Sequence, residues 1–113
     1  MKTGFFKKAA AVFMAGAMAV SLAGRVRVNA IAPGWIDTGA YYREGYVPGD
    51  SPADRRQHPS GRIGVPEDIA RTALFLCDEE NNFINGETIT VDGGMTKLMV
   101  YHNDCGWKYR PEE

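Results

Sequence analysis

The sequence has few cysteines and almost no excess charge. Its 113 residues include two cysteines and carry a formal net charge of -1, from 13 Lys plus Arg against 14 Asp plus Glu. Cys77 and Cys105 form no Cys-x-x-Cys pair, so we predict neither a disulfide scaffold nor a metal site. Basic residues do not cluster into a long run, which argues against a partner that is a nucleic acid.

Long apolar runs are also scarce, and the main one lies near the N-terminus. Residues 9–23 are uncharged, follow Lys2, Lys7 and Lys8, and end in small residues. This pattern is typical of a bacterial export signal, which would be the chain's only route to a membrane. The run is too short to predict a membrane span. A buried helix is the alternative interpretation, because Ala and Met favour helices.

From Arg25 onward the sequence alternates between predicted strands and helices. Alternation and then an apolar run predict a strand over Arg25–Ala32, stopped by Pro33-Gly34. A helix is predicted from Pro66, and a second strand over residues 88–91. Strands that alternate with helices predict an α/β fold with a parallel sheet. Two strands do not make such a sheet alone, so we expect further strands from elsewhere.

Residues 39–64 separate the first strand from the helix. They are rich in Gly and Pro and show no apolar periodicity, which predicts a long loop without a helix. Tyr41, Tyr42, Tyr46 and Val47 are its apolar anchors and could close over a small molecule, and an ordinary mobile surface loop is the alternative interpretation of this composition. His58 near its end is a candidate ligand contact, although the composition favours a solvated position for it.

Three motifs in this part of the chain carry a family resemblance. They are RVNAIAPGWIDT at Arg27–Thr38, GRIGVPEDIA at Gly61–Ala70 and FINGETITVDGG at Phe83–Gly94. Their order and spacing resemble the C-terminal third of a short-chain dehydrogenase/reductase. The resemblance implies part of a Rossmann-type, doubly wound parallel sheet and NAD(P) as the cofactor.

The same resemblance assigns roles to individual residues. Pro33 and Gly34 would shape the wall beside the nicotinamide ring, and the backbone of Ile36 would hold the carboxamide. The hydroxyl of Thr38 would meet the carboxamide or a nearby phosphate. The loop with Tyr41, Tyr42, Tyr46 and His58 would be the substrate loop. The last helix and strand commonly pack across a subunit interface in this family, which implies a homo-oligomer.

Two of the family's functional motifs are absent from the sequence. No two glycines are separated by one residue, so the Gly-rich turn that cradles the cofactor phosphates is missing. None of the five tyrosines is followed by a lysine four residues later, so the catalytic Tyr-x-x-x-Lys motif is missing too. We therefore predict no catalytic residue in this chain. We expect it to need a second polypeptide with the family's N-terminal part for hydride transfer.

The predicted organisation has three segments. Residues 1–24 are the export-like or helical segment, 25–95 the dehydrogenase-like segment and 96–113 a tail. The resemblance predicts a cytoplasmic protein, whereas a cleaved signal over residues 1–23 predicts export. Two other interpretations of the function remain open: a non-enzymatic exported or interaction protein, and an inert truncated remnant.

Overall fold

The structure, a computed structural model, describes residues 14–98 together with residues 106, 108 and 110. Two predictions therefore lie outside the described residues. One is the basic start of the export-like segment, and the other is most of the predicted tail. The described chain forms two compact units. One contains the chain up to Ala32 and Ile69–Thr90, and the other contains Pro33–Asp68 and the chain from Val91.

The first unit begins with a helix, α1, over residues 14–21. Ala15 and Ala19 are buried, and a spacing of four residues puts them on one face of α1. That face lies against Gly86: a Cβ added at Gly86 would be 3.3 Å from the Cβ of Ala19. Small residues on both sides permit this close approach. No helix among the described residues is long and apolar enough to cross a membrane.

Two short strands, β1 (Ala30–Pro33) and β2 (Thr88–Val91), form the sheet. The first N–H of β1 donates to the carbonyl of Glu87 at 2.8 Å, and the N–H of Gly34 donates to the last carbonyl of β2 at 3.0 Å. The donor and the acceptor residue are separated by the same number of positions in both bonds, which shows that the strands are parallel. The predicted second strand and the α/β class are thus confirmed.

The first strand is shorter than predicted, because side chains replace the strand pairing before Ala30. The N–H of Val28 donates to the side-chain oxygen of Asn85 at 2.9 Å. The amide group of Asn29 donates to the carbonyl of Ile84 and accepts from the N–H of Glu87, both at 3.0 Å. Before Ala30, side-chain hydrogen bonds therefore attach the chain to the segment that precedes β2, in place of regular strand pairing.

The predicted helix from Pro66 is α3 (Pro66–Cys77). The carboxylate of Asp68 accepts the N–H of Val65 at 2.9 Å and so satisfies a donor at the start of the helix. The predicted apolar face is buried only in part. Leu76 is 8% exposed, whereas Leu74 is 72% exposed.

A helix that the sequence analysis missed, α2 (Pro52–Gln57), lies inside the predicted loop. The hydroxyl of Ser51 accepts the N–H of Asp54 at 3.2 Å, and the carboxylate of Asp54 accepts the N–H of Ser51 at 2.7 Å. This reciprocal capping box, with Pro52 at the first helical position, favours a helix start. The prediction of a loop without a helix is wrong, although its signal was present in the sequence.

Candidate functional site

A cavity of about 550 Å³ lies in the second unit, in the chain that follows β1. Four of the predicted site residues line it: Ile36, Thr38, Tyr42 and Tyr46. Its volume falls within the range of about 300–1,000 Å³ that small-molecule sites occupy. The structure thus brings two predicted cofactor contacts and two predicted substrate-loop residues to one place.

Pro33 and Gly34 do not line this cavity. Pro33 is exposed at the end of β1. Gly34 passes close to the chain that follows β2, where an added Cβ would lie 2.8 Å from the Cα of Asp92. The role of Gly34 in the structure is therefore the close approach of two backbones, which a larger residue would prevent.

Ile36 lies just beyond the end of β1 and forms a parallel bridge with Gly64. The N–H of Gly64 donates to the carbonyl of Trp35 at 3.1 Å, and the N–H of Asp37 donates to the carbonyl of Gly64 at 2.8 Å. In this geometry the N–H and C=O of Ile36 point away from Gly64. No hydrogen bond within residues 14–98 uses these two groups. Ile36 thus offers a backbone donor and a backbone acceptor on one side of the chain.

Thr38 precedes the short 3-10 turn Gly39–Tyr41, and its carbonyl accepts the N–H of Tyr41 at 3.0 Å. The hydroxyl of Thr38 makes no hydrogen bond in the described part of the chain. Tyr41 does not line the cavity, and its hydroxyl donates to the carboxylate of Glu67. That hydrogen bond and the negative charge of Glu67 raise the pKa of Tyr41.

The ring of Tyr46 covers the start of the same turn. Its hydroxyl donates to one oxygen of Asp37 at 3.0 Å, and the other oxygen accepts the N–H of Gly39 at 2.8 Å. A Cβ at Gly39 would overlap the ring of Tyr46. The hydrogen bond to Asp37 raises the pKa of Tyr46. Asp37, which the sequence analysis did not single out, therefore fastens the loop to the end of the strand.

His58 does not lie where the sequence placed it. The side chain is 2% exposed and does not line the cavity, so the expected solvated position is wrong. His58 ends α2, and its Nδ1 lies 2.7 Å from the carbonyl of Asp54, which identifies Nδ1 as the donor. Its Nε2 is buried without a partner in the described residues. The ring lies 6.1 Å from that of Trp35, so His58 supports a residue of the cavity wall.

Two charged residues that sequence reasoning missed also line the cavity. Arg43 and Asp50 both belong to the loop, and Asp50 forms an ion pair with Arg55 at 2.5 Å. The side chain of Arg43 makes no hydrogen bond or ion pair with any residue that the structure describes. In the sequence, the position of Arg43 between the loop tyrosines was the only indication that a charged residue lines the cavity.

A family model described as Enoyl-(Acyl carrier protein) reductase, of the short-chain dehydrogenase/reductase type, matches residues 5–96. The chain belongs to the short-chain dehydrogenase/reductase family. The predicted resemblance is confirmed, and the chain corresponds to part of an oxidoreductase of this family.

Curated short-chain dehydrogenase/reductase relatives resemble the chain over most of its length. An uncharacterized oxidoreductase of Thermotoga maritima is 43% identical over 98 residues, which cover 83% of this chain and 38% of that protein. A 3-oxoacyl-[acyl-carrier-protein] reductase of the same organism is 38% identical over 89 residues, 78% of this chain and 35% of that protein. The chain therefore spans less than two fifths of the length of these relatives.

Solved short-chain dehydrogenase/reductase structures resemble the described fold. An apo SCOR enzyme from Clostridium thermocellum is 44% identical with a TM-score of 0.65, over 89% of this chain and 37% of that one. ElxO, solved with NADP bound, is 33% identical with a TM-score of 0.65, over 80% of this chain and 37% of that one. These likenesses agree with the α/β sheet described above.

Proposed function

We propose that this chain forms the nicotinamide-side wall and the substrate loop of an NAD(P)-dependent oxidoreductase. The observation that carries the proposal is the backbone of Ile36, whose N–H and C=O are unused within the described residues and which lines the cavity beyond β1. In open α/β sheets, ligands bind in the crevice outside the carboxyl ends of the strands. The position of Ile36 fits that rule.

The donors and acceptors at the site fit the nicotinamide end of the cofactor. A carboxamide donates through its NH₂ group and accepts through its oxygen, which complements the C=O and N–H of Ile36. The hydroxyl of Thr38, two residues further, provides a third polar contact. When bound, NAD(P) supplies or accepts the hydride. The residues of this chain would hold and orient the ring, with Trp35 as a neighbouring wall.

The loop tyrosines would cover the substrate. Tyr42 is 81% exposed and Tyr46 is held by Asp37, and both line the cavity. Tyr41, fastened to Glu67, would tie the loop to the first turn of α3. A loop fixed at two points and exposed between them is suited to closing on a small molecule and excluding water.

The proton donor and the phosphate cradle would come from outside this chain, because the sequence contains neither motif. We propose that a second copy or a polypeptide with the family's N-terminal part docks on the first unit. Leu74, Phe75 and Phe83 are 72%, 55% and 101% exposed, so each offers an apolar side chain for such a contact.

We also propose that α1 stays part of the folded protein and that the protein acts in the cytoplasm, where NAD(P) is available. The support is the burial of Ala15 and Ala19 and the contact of α1 with Gly86. Cleavage after Ala23 would remove this packing. The mass of the protein recovered from cells tests the proposal, since cleavage would shorten the chain and contradict it.

The cofactor proposal is tested by titrating nicotinamide mononucleotide into the full chain and following the fluorescence of Trp35, with Trp107→Phe removing the other tryptophan. We expect saturable binding, and an affinity about fivefold lower in Thr38→Val through loss of one hydrogen bond. Thr90→Val makes the same change at an exposed position of β2 and should leave the affinity unchanged. Absence of binding by the folded chain, or equal effects of the two variants, would contradict the proposal.

A further inference from the structure

Three charged side chains line the cavity, and two of them are already satisfied. Both carboxylate oxygens of Asp37 accept hydrogen bonds, from the N–H of Gly39 and the hydroxyl of Tyr46. The carboxylate of Asp50 is paired with the guanidinium of Arg55. The carboxylates of the lining are therefore engaged within the chain, and Arg43 is the charged lining residue whose side chain has no partner among the described residues.

The backbone of Arg43 is fixed while its guanidinium is not. The N–H of Arg43 donates to the carbonyl of Gly39 at 3.1 Å, which sets the residue against the 3-10 turn. Hydrogen bonding to Asp37 raises the pKa of Tyr46, and the charge of Arg43 partly opposes this effect, so that charge acts at the cavity. Within the described ranges no carboxylate pairs with this guanidinium. A positioned cation without an internal partner is available to a ligand.

We infer that Arg43 binds a carboxylate or phosphate group of the substrate, so that the cavity takes a small anionic molecule in preference to a neutral one. A guanidinium presents two parallel N–H donors to such a group, and these charge-assisted hydrogen bonds are stronger than neutral ones. Arg43 is exposed, so the pair would form at the mouth of the cavity and would weaken as the ionic strength rises. The inference rests on the proposed function, because that function makes the cavity a substrate site.

An anionic group could also come from the cofactor, whose phosphates lie beyond the nicotinamide. Two matched probe pairs separate these sources. Phenylacetate and phenylacetamide have the same shape and differ in charge, whereas nicotinamide mononucleotide and nicotinamide riboside differ in one phosphate. Each pair is titrated into the full chain carrying Trp107→Phe at low ionic strength, with the fluorescence of Trp35 as the signal.

We expect phenylacetate to bind about three- to tenfold more tightly than phenylacetamide. Arg43→Gln should abolish this preference, and Arg43→Lys should keep a smaller one, because lysine retains the charge but not the fork. Arg56→Gln makes the same change in net charge at an exposed position of α2 outside the cavity lining. It should keep the full preference, which excludes a general charge effect.

Three results would overturn the inference. Equal affinity for acid and amide in a chain that still binds nicotinamide mononucleotide would refute the role of Arg43 and leave the proposed function standing. A loss of the mononucleotide-over-riboside preference in Arg43→Gln, with the preference for acid unchanged, would assign Arg43 to the cofactor phosphate. Absence of mononucleotide binding would instead refute the proposed function, and the inference with it.

Discussion

The two ends of β1 differ in whether their polar groups are hydrogen-bonded within the chain. Before the strand, the side chains of Arg27 and Asn29 are engaged with backbone groups, and Asn29 uses both its donor and its acceptor. After the strand, the N–H and C=O of Ile36 and the hydroxyl of Thr38 have no partner in the part of the chain that the structure describes. The first end is anchored, and the second keeps its hydrogen-bonding groups available.

Polarity alone therefore does not mark a binding site in this chain. The segment before β1 carries more polar side chains than the Ile-Ala-Pro-Gly-Trp-Ile run around the end of the strand. Its polar side chains are nevertheless engaged in hydrogen bonds with the backbone of the same chain. Unused backbone groups beside a cavity indicate binding more directly than an abundance of charged residues does.

The largest loss of stability is expected from a substitution at the end of β1 that precedes Ile36. Gly34→Ala would place a Cβ within 2.8 Å of the Cα of Asp92 and force the strand ends apart. We expect a loss of about 3 kcal/mol in the free energy of unfolding, measured by urea denaturation. Gly49→Ala is the control, since nothing lies within 4 Å of its added Cβ and no stability should be lost. A Gly34→Ala protein as stable as the control would contradict the close approach.

The anchored end is broken by Asn29→Ala. The variant removes one of the two donors to the carbonyl of Ile84, the other being Arg27, and leaves the N–H of Glu87 without its partner. We expect a loss of about 2 kcal/mol in the same measurement. Asn82→Ala removes only a local bond to the carbonyl of Glu79 and should cost about 0.5 kcal/mol. Equal losses in the two variants would mean that the long-range bonds of Asn29 do not anchor β1.

Tyr46→Phe tests the hydrogen bond between the Tyr46 hydroxyl and Asp37 beside the cavity. The hydrogen bond to Asp37 raises the pKa of Tyr46, so the fold favours the neutral phenol. Its contribution to stability is fully present below the ordinary tyrosine pKa of about 10 and is lost as the pH rises through the raised pKa. In an ultraviolet absorbance titration, Tyr46→Phe should remove one late ionisation step. Tyr42→Phe should retain that step, and its disappearance there would refute the assignment.

The smallest effect concerns Asp92, which faces Gly34. Burial alone would raise the pKa of Asp92, but hydrogen bonds from the side chain and N–H of Thr96 and the N–H of Gly94 outweigh burial and lower it. The resulting stability is present above the ordinary aspartate pKa and is lost as the pH falls through the lowered one. Thr96→Val should shift the pKa of Asp92 upward in a carboxyl NMR titration. An unchanged pKa would mean that the hydroxyl of Thr96 contributes nothing.

Local signals in the sequence predicted the elements that depend on local chemistry. Pro66 with two following acids predicted α3, and the alternation over residues 88–91 predicted β2. The capping pattern from Ser51 to Asp54 was present but was obscured by the Gly and Pro residues around it. Such a capping pattern can be recognised in a sequence because the two residues that form it are three positions apart.

Features that depend on long-range pairing could not be predicted. The bonds of Asn29 join residues more than fifty positions apart, so nothing local distinguishes this anchor from a strand residue. The burial of His58 depends on how α2 ends and on the ring of Trp35. The cavity was predictable in part, because Ile36 and Thr38 follow a strand end, whereas Arg43 becomes notable only once Asp37 and Asp50 are seen to be satisfied.

The bridge between Ile36 and Gly64 holds the two ends of the loop together, beside the strand β1. It pairs a residue that precedes the loop with the last residue of the loop, through backbone hydrogen bonds that involve neither the tyrosines nor α2. Because doubling the length of a flexible loop costs only about 0.6 kcal/mol in closure entropy, whole loops could be exchanged between these two fixed points. A different loop sequence between Ile36 and Gly64 could therefore accommodate a different substrate without a change in the sheet.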